Sequence, residues 1–515
     1  MTPIVISLCL GSISYGYDFS IITFTIGQPA WYAYFGLTTD PSDAALYKYS
    51  NDIVGAALGL FSTGAIIGAG FVAWVCDARG RKKSLIIAAI INIVGGALQA
   101  GSVHIAMFLT ARALTGISAA MFVTVVPIYI AEVAPPSTRG LLVGQHGAFF
   151  SMWLLDGSMG LCWIVFQHPS ATVSMALPAR SSGAMADIGP VHLIIQGRPD
   201  EAWDILHRLH FNPKNSVSSE AFAKEEFYQI RSQIATDLAA YGHVSLVDLF
   251  KKPHFAKRMA CAALVMFTSQ ACGNLVFYSN ATILFSGLGF DTGLSLVMSA
   301  AYITWACVMN FVNASFLDRL GRVRSMVIGY VGGGVCIAIE AAIIAVYGGT
   351  TNRAALSGGV FILFCYITTF AGFCDTTLYV YCSEIFPTHI RSKGMAWSIA
   401  IFMLSTVPFL ESSTVGFATI GWKYYIMFIV FSVLCPAALH IFCPETRGLA
   451  LEEVNELFGD DVAVQVTNLS QEERDQLDNR IMIGISPLSD GMNDVADQGN
   501  DSKDKDLSQG SSLSV

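Results

Sequence analysis

Eleven stretches of this chain are each long and apolar enough to cross about 30 Å of hydrocarbon as a helix of about 20 residues. They lie at 3–25, 53–75, 84–103, 105–130, 142–166, 259–285, 294–316, 325–347, 358–383, 395–419 and 422–443. Within them apolar and polar residues do not alternate, which excludes a β-barrel. At 53% hydrophobic and 13% charged residues, with a mean hydropathy of +0.55, the 515-residue chain holds more apolar surface than soluble cores can hide. An all-α membrane protein is expected. The first run is too long for the apolar core of a cleavable signal and lacks a basic flank, so it is taken as the first span.

Loop charge orients the spans, because short loops rich in Lys and Arg stay cytosolic. Arg79, Arg81, Lys82 and Lys83 follow the second span and Arg139 the fourth, while Arg319, Arg322 and Arg324, then Arg391 and Lys393, then Arg447, occupy later loops of the same parity. For all of these to share one side, 169–196 must also cross, as an atypical sixth helix that holds Arg180, Asp187 and three prolines. Each central charge there costs about 2.5–3.5 kcal/mol. The polar segment 197–257, with helical spacing in "GRPDEAWDILHRLH" and "AFAKEEFYQIRSQI", joins the cytosolic side as an amphipathic linker.

The linker separates two related halves. Asp77-Ala-Arg-Gly-Arg81 is echoed by Asp318-Arg-Leu-Gly-Arg322, and Glu132…Pro-Pro-Ser-Thr-Arg139 by Glu384…Pro-Thr-His-Ile-Arg391. Two parallel six-helix repeats around a midplane site are one way of building a secondary transporter. Topology alone does not ask for acids at fixed offsets in both halves. Asp77, Arg81, Glu132 and Arg139, with Asp318, Arg322, Glu384 and Arg391, are therefore expected to form two charge clusters, a cytoplasmic gate. Lys82, Lys83 and Arg324 are read only as topology signals. The expected organisation is an N-terminal half over 1–196, the linker over 197–257, a C-terminal half over 258–443 and a cytoplasmic tail over 444–515, disordered from about 460.

With Gly16-Tyr17-Asp18, "DARGRKK", "ARALTG", "VPIYIAEVAPPSTRG", "SQACGN", "DRLGRVR", "SEIFPTHIRSKG" and "PETRGLALEEV" in this order, the chain resembles the sugar porter family of the major facilitator superfamily. It is most similar to the fungal hexose and disaccharide members. The resemblance spans about residues 10–460 and implies a major facilitator fold of two six-helix bundles, alternating access, and transport of a hexose, pentose or disaccharide, often with a proton. Departures are plain. Ser269-Gln-Ala-Cys-Gly-Asn274 keeps one of the family's two glutamines, Tyr379 stands where a Trp is common, the usual eighth-span Asn is absent although Asn310 and Asn313 lie nearby, and no Pro-Glu-Ser-Pro-Arg follows the sixth stretch.

Sugar recognition needs hydroxyl partners among aromatic faces. Gln270 and Asn274, four residues apart, are expected on one helical face, extended by Tyr278. Gln145 (or its neighbour His146) and Tyr379 are weaker substrate-binding candidates, since amides and aromatics in spans also serve packing. Among ionisable residues inside spans, Asp18 and Arg112 are expected to couple transport to protons, because the resemblance sets their helices side by side. Asp156, Glu340, Asp375 and Glu411 match no motif of the family.

The net charge of −9 argues against nucleic acid as a partner. The 12 cysteines are scattered through apolar runs with no C-x-x-C pair or metal spacing. No phosphate-binding loop of the form G-x-x-x-x-G-K-[ST] and no Ser/His/Asp constellation is present, so neither an ATP-driven pump nor an enzyme is expected. The reading is a sugar/proton symporter of the plasma membrane with both termini cytoplasmic, no cofactor and no metal, and partners limited to sugar, proton and the lipid bilayer. The alternatives are an uncoupled facilitator and a non-transporting sugar sensor.

Overall fold

A computed structural model describes residues 8–9, 11–19, 29–38, 42–134, 140–150, 194, 198–210, 223–224, 227–228, 230–231, 247–288, 290, 292–347, 350, 352–387, 389–449 and 454–459. Every regular element among them is helical. Nine of the described helices are long and apolar enough to cross a membrane: Ala44–Arg79, Arg81–Ala100, Ile105–Val133, Pro253–Ser279, Gly293–Leu320, Arg322–Tyr347, Ala354–Glu384, Arg391–Ser413 and Gly421–Phe442. They coincide with the expected second to fourth and seventh to twelfth spans. The first and fifth spans are described only at 8–9, 11–19 and 140–150, all of them helical. The expected sixth span lies almost wholly outside the described residues, as do Arg139, Asp156 and the tail from 460.

The second-span helix is much longer than its apolar run. It extends over 36 residues, opened by Asp43, whose carboxylate accepts from the Ala45 and Leu46 amides at 3.2 and 3.1 Å. Its two ends do different work. Tyr47 and Tyr49 near the start are exposed, whereas Val72, Val75 and Cys76 near the basic loop are buried against the fourth-span helix.

That helix pair is held by small residues. A Cβ added at Gly64 would lie 2.1 Å from the Ala113 carbonyl oxygen, one at Gly68 2.4 Å from that of Ile117, and one at Gly116 2.1 Å from that of Phe61. Two backbones in this proximity tolerate no side chain between them. This gives the Gly of "ARALTG" its physical reason. Ile67 and Trp74 of the second-span helix and Ile90 of the third-span helix stay exposed, as lipid-facing residues do.

Two large apolar clusters dominate the described interior. The larger core joins both halves through residues such as Tyr15, Val126, Tyr129, Tyr379 and Phe402; the second lies within the C-terminal half around Phe277, Tyr302, Tyr366 and Phe428. The linker contributes the helix Pro199–His210, where Ala202 and Leu206 bury themselves with Trp203 against Phe227. The described cysteines are free and most are buried, as small hydrophobes would be.

Gly64→Ala and Gly116→Ala are expected to cost about 1–3 kcal/mol each by overpacking. Gly70→Ala, where nothing lies within 4 Å of the new methyl, should leave stability unchanged or slightly raised. Thermal unfolding of the detergent-solubilised variants checks this, and equal behaviour of the three would refute the close crossing.

Candidate functional site

At the basic end, one local device is used twice. Gly80 (φ 82°) and Gly321 (φ 98°) adopt a backbone open to glycine, so one helix stops and the next starts within a residue. The next residue in each case is an arginine that turns inward. Arg81 donates to Glu132 at 2.7 Å, and Arg322 to Glu384 at 2.8 and 3.1 Å and to Asp318 at 2.9 Å. Arg81, Arg322, Glu132 and Glu384 are all buried.

The clusters also reach from one repeat to the other. Arg391 brings its guanidinium within 3.7 Å of Glu132, Lys393 pairs with Asp77 at 3.0 Å, and the Ser392 hydroxyl donates to the same carboxylate at 2.5 Å. In the other direction the Leu141 amide donates to Asp318 at 3.0 Å. A carboxylate has about four acceptor positions, so each acid can serve its own arginine and still reach across. Lys393 was counted in the sequence only as a topology signal; nothing in its spacing distinguishes it from the other loop lysines.

Glu445 was also missed as an individual residue. It accepts from the Arg322, Val323 and Arg324 amides at 2.7, 3.0 and 3.3 Å, an anion seated on a helix N-terminus. Thr446 adds a 2.7 Å bond to Glu384. Arg258, fully buried, donates to the Ile385 carbonyl at 2.6 Å and to the Asn455 side chain at 3.1 Å, with its guanidinium carbon 4.5 Å from the Phe458 ring centroid. The "PETRGLALEEV" segment and the short helix at its end thus clamp the base of the C-terminal half.

Deeper in the bundle, Asp18 and Arg112 are neighbours, both buried, but their contact differs from a salt bridge. Arg112 donates to the backbone carbonyl of Asp18 at 3.0 Å and stands 4.4 Å over the Phe61 ring. One carboxylate oxygen of Asp18 and two guanidinium nitrogens of Arg112 make no hydrogen bond. Asn92 faces the carboxyl and accepts from Ser118 at 3.1 Å.

The expectation that Gln270 and Asn274 share one helical face is overturned. The helix ends at Ala271, Gly273 takes the left-handed conformation (φ 89°), and a new helix runs from Asn274 to Ser279. The break destroys the four-residue register between the two amides, although both remain buried; Gln270 donates to the Ser269 hydroxyl at 3.4 Å. Asn274 and Tyr278 keep their register within the short helix. Gln145 turns back to its own helix, donating to the Leu141 carbonyl at 3.4 Å. Its neighbour His146 meets Ser12 at 2.6 Å and stands edge-on to Tyr379 with ring centroids 5.1 Å apart.

The tenth span is broken too, at Cys374, between Arg353–Phe373 and Asp375–Glu384. Tyr366 bonds the carbonyl of Cys272 at the seventh-span break, at 3.4 Å, and Tyr330 interacts with Ser269, Cys272, Cys374 and Asp375. The two interrupted helices therefore meet. Interrupted helices with irregular backbone inside the membrane are the usual frame of a transporter's binding site. Arg112, Asp18, the two breaks and the basic end together describe a membrane protein with a polar interior.

The whole of this frame, residues 4–458, matches the model of the family described as Sugar (and other) transporter. The chain belongs to that family. It is a multi-pass membrane transporter and not an enzyme. It is 26% identical to the MFS-type transporter criB of Aspergillus cristatus over 89% of this chain and 93% of the relative. It is 26% identical to a high-affinity glucose transporter of Kluyveromyces lactis, covering 88% and 84% of the two chains. It is also 26% identical to the arabinose-proton symporter of Bacillus subtilis, covering 87% and 93%. Among solved structures it is similar to the proton:xylose symporter XylE of E. coli bound to 6-bromo-6-deoxy-D-glucose, with a TM-score of 0.74, 21% identity and coverage of 88% of this chain and 98% of that one. The fold is the major facilitator fold.

Arg81→Ala removes the close partner of a fully buried carboxylate and should destabilise by about 3–5 kcal/mol. Arg391→Ala leaves Glu132 bonded to Arg81, so its loss should be under about 1.5 kcal/mol. Thermal unfolding of both variants decides; equal losses would mean that the two arginines are equivalent.

Proposed function

We propose that this transporter is a sugar/proton symporter of the plasma membrane, working by alternating access between an N-terminal half, residues 1–196, and a C-terminal half, 258–443. The linker 197–257 and the tail 444–515 lie in the cytosol with both termini. Three features support the reading. The relatives and the neighbouring structure include glucose, arabinose-proton and proton:xylose carriers by name. The loop arginines share one end of the bundle. Gln270, Asn274 and Tyr379 are buried and Tyr278 nearly so, on the interrupted seventh and tenth helices, where hydroxyl partners and aromatic faces suit a sugar, with Gln145 the weaker candidate.

One observation carries the coupling: Asp18 is buried beside Arg112 without a carboxylate–guanidinium bond. Desolvation favours the protonated acid and the arginine favours the ionised one, so the carboxyl can load a proton when open to one side and lose it when open to the other. A proton moving down 100 mV releases about 2.3 kcal/mol, and down one pH unit about 1.4 kcal/mol. Together these support a sugar gradient of roughly 500-fold. The closed basic end is the gate, with the Glu132–Arg391, Asp77–Lys393 and Asp318–Leu141 links holding the outward-facing state.

Uptake of a panel of labelled sugars into proteoliposomes, with and without a pH gradient, tests the function. Wild type should accumulate at least one neutral sugar, and only when the gradient is present. Asp18→Asn should keep sugar exchange and lose accumulation, because the amide resembles the protonated acid and cannot cycle. Accumulation by Asp18→Asn would remove Asp18 from coupling, and wild-type uptake that ignores the gradient would make the protein a facilitator.

The gate has its own test. In Arg391→Ala and in Lys393→Ala, labelling of interior cysteines by a polar thiol reagent from the basic side should rise several-fold as the population shifts inward. Unchanged labelling in both would show that these links do not hold the end closed.

A further inference from the structure

The tenth-span break places one acid that the coupling scheme leaves unused. Asp375 is the first residue of the ten-residue helix Asp375–Glu384, and it is buried. Asn310, from the eighth span, donates to its Oδ2 at 2.8 Å. No Lys, Arg or His lies within salt-bridge distance of it among the described residues. Tyr15, Tyr278, Tyr330 and Tyr379, from several helices, lie near enough to interact with its charge. The hydroxyls of Tyr278 and Thr376 are buried and make no hydrogen bond among the described residues. The next residue, Thr376, abuts Gly147 of the N-terminal half, where an added Cβ would come within 2.4 Å of it.

A buried carboxylate filled by one amide N–H has acceptor capacity left over, and the unbonded hydroxyls of Tyr278 and Thr376 can both donate and accept. That pattern is complementary to a polyhydroxylated molecule. A substrate hydroxyl donating to the carboxylate makes a charge-assisted bond, while its own oxygen accepts from a neighbouring tyrosine or threonine. Resting on the transport reading above, we propose that Asp375 is a specificity-determining residue that accepts a hydroxyl hydrogen of the transported sugar, with Asn310 fixing its orientation.

The test uses the full chain in proteoliposomes and monodeoxy and monodeoxyfluoro analogues of a sugar that wild type carries. Fluorine replaces the hydroxyl without its donor hydrogen. At one ring position wild type should show a KM about 10- to 100-fold higher for both analogues than for the parent sugar. Asp375→Asn should erase that difference at that position alone while raising the KM of the parent sugar; Asp375→Glu should retain it in part, and serves for the comparison if the amide variant does not reach the membrane. Equal KM changes for parent and analogues, or none, would overturn the proposal. Labelling of Asp375→Cys in a Cys374→Ser background gives a readout separate from transport. A polar thiol reagent should modify it, and sugars or polyols should protect it. If wild type takes up no sugar, the symport reading falls; Asp375 is then judged by labelling alone, and an unmodified or unprotected cysteine overturns its role.

Discussion

In hydrocarbon a backbone amide or carbonyl without a partner has no water to turn to, so every departure from helix must be made good inside the bundle. The two breaks in the C-terminal half show how. Phe373, left at the end of its helix, has its carbonyl taken by Ser325 and Thr377, both at 2.8 Å, and Cys374 turns its thiol to the Met326 carbonyl at 3.5 Å. At the other break Tyr366 serves Cys272. The partners come largely from neighbouring helices, which ties the position of each break to the packing around it. Polar chemistry in the interior is thereby concentrated where helices are interrupted, and Asp375, Asn310 and Tyr330 gather there.

The basic end obeys a different constraint. Glu132 is desolvated, and a buried carboxylate is tolerable only when ion-paired or hydrogen-bonded. Arg81 satisfies that need within the half, at 2.7 Å, while Arg391 approaches only to 3.7 Å from the other half. The short bond holds the buried acid within its half, and the longer one adds a weaker link across to the other. The same division recurs in Asp318, which bonds Arg322 in its own half and a backbone amide across the boundary. The repeated motifs thus supply contacts both within each repeat and between the two.

Much of this was legible in the residues. Helix length against bilayer thickness marked the spans, and the paired Asp-x-x-Gly-Arg and Glu…Arg motifs marked the repeat, because a tight helical turn with inward arginines needs glycine, acid and arginine at set offsets. The extra length of Ala44–Arg79 was not legible, since its first turns are polar and are held by a cap and by tertiary contact rather than by apolar periodicity. Nor was the seventh-span break: "QACGN" reads as continuous helix until Gly273 is seen at φ 89°.

The sequence by itself determined that this chain is helical, crosses a membrane many times, is built twice over and carries the motifs of a sugar transporter. These rest on local quantities: run length, charge in loops and residues at fixed spacing. Only the tertiary structure decided which acid answers which base. Lys393 meets Asp77 and Arg391 meets Glu132 because two helices from different halves lie side by side, hundreds of residues apart in the chain. Asp375 meets Asn310 because the eighth-span helix lies beside the tenth. Contacts of that kind depend on the relative placement of whole helices, set by packing of small residues such as Gly64 and Gly116, and no pattern along one stretch of sequence encodes the distance between two others.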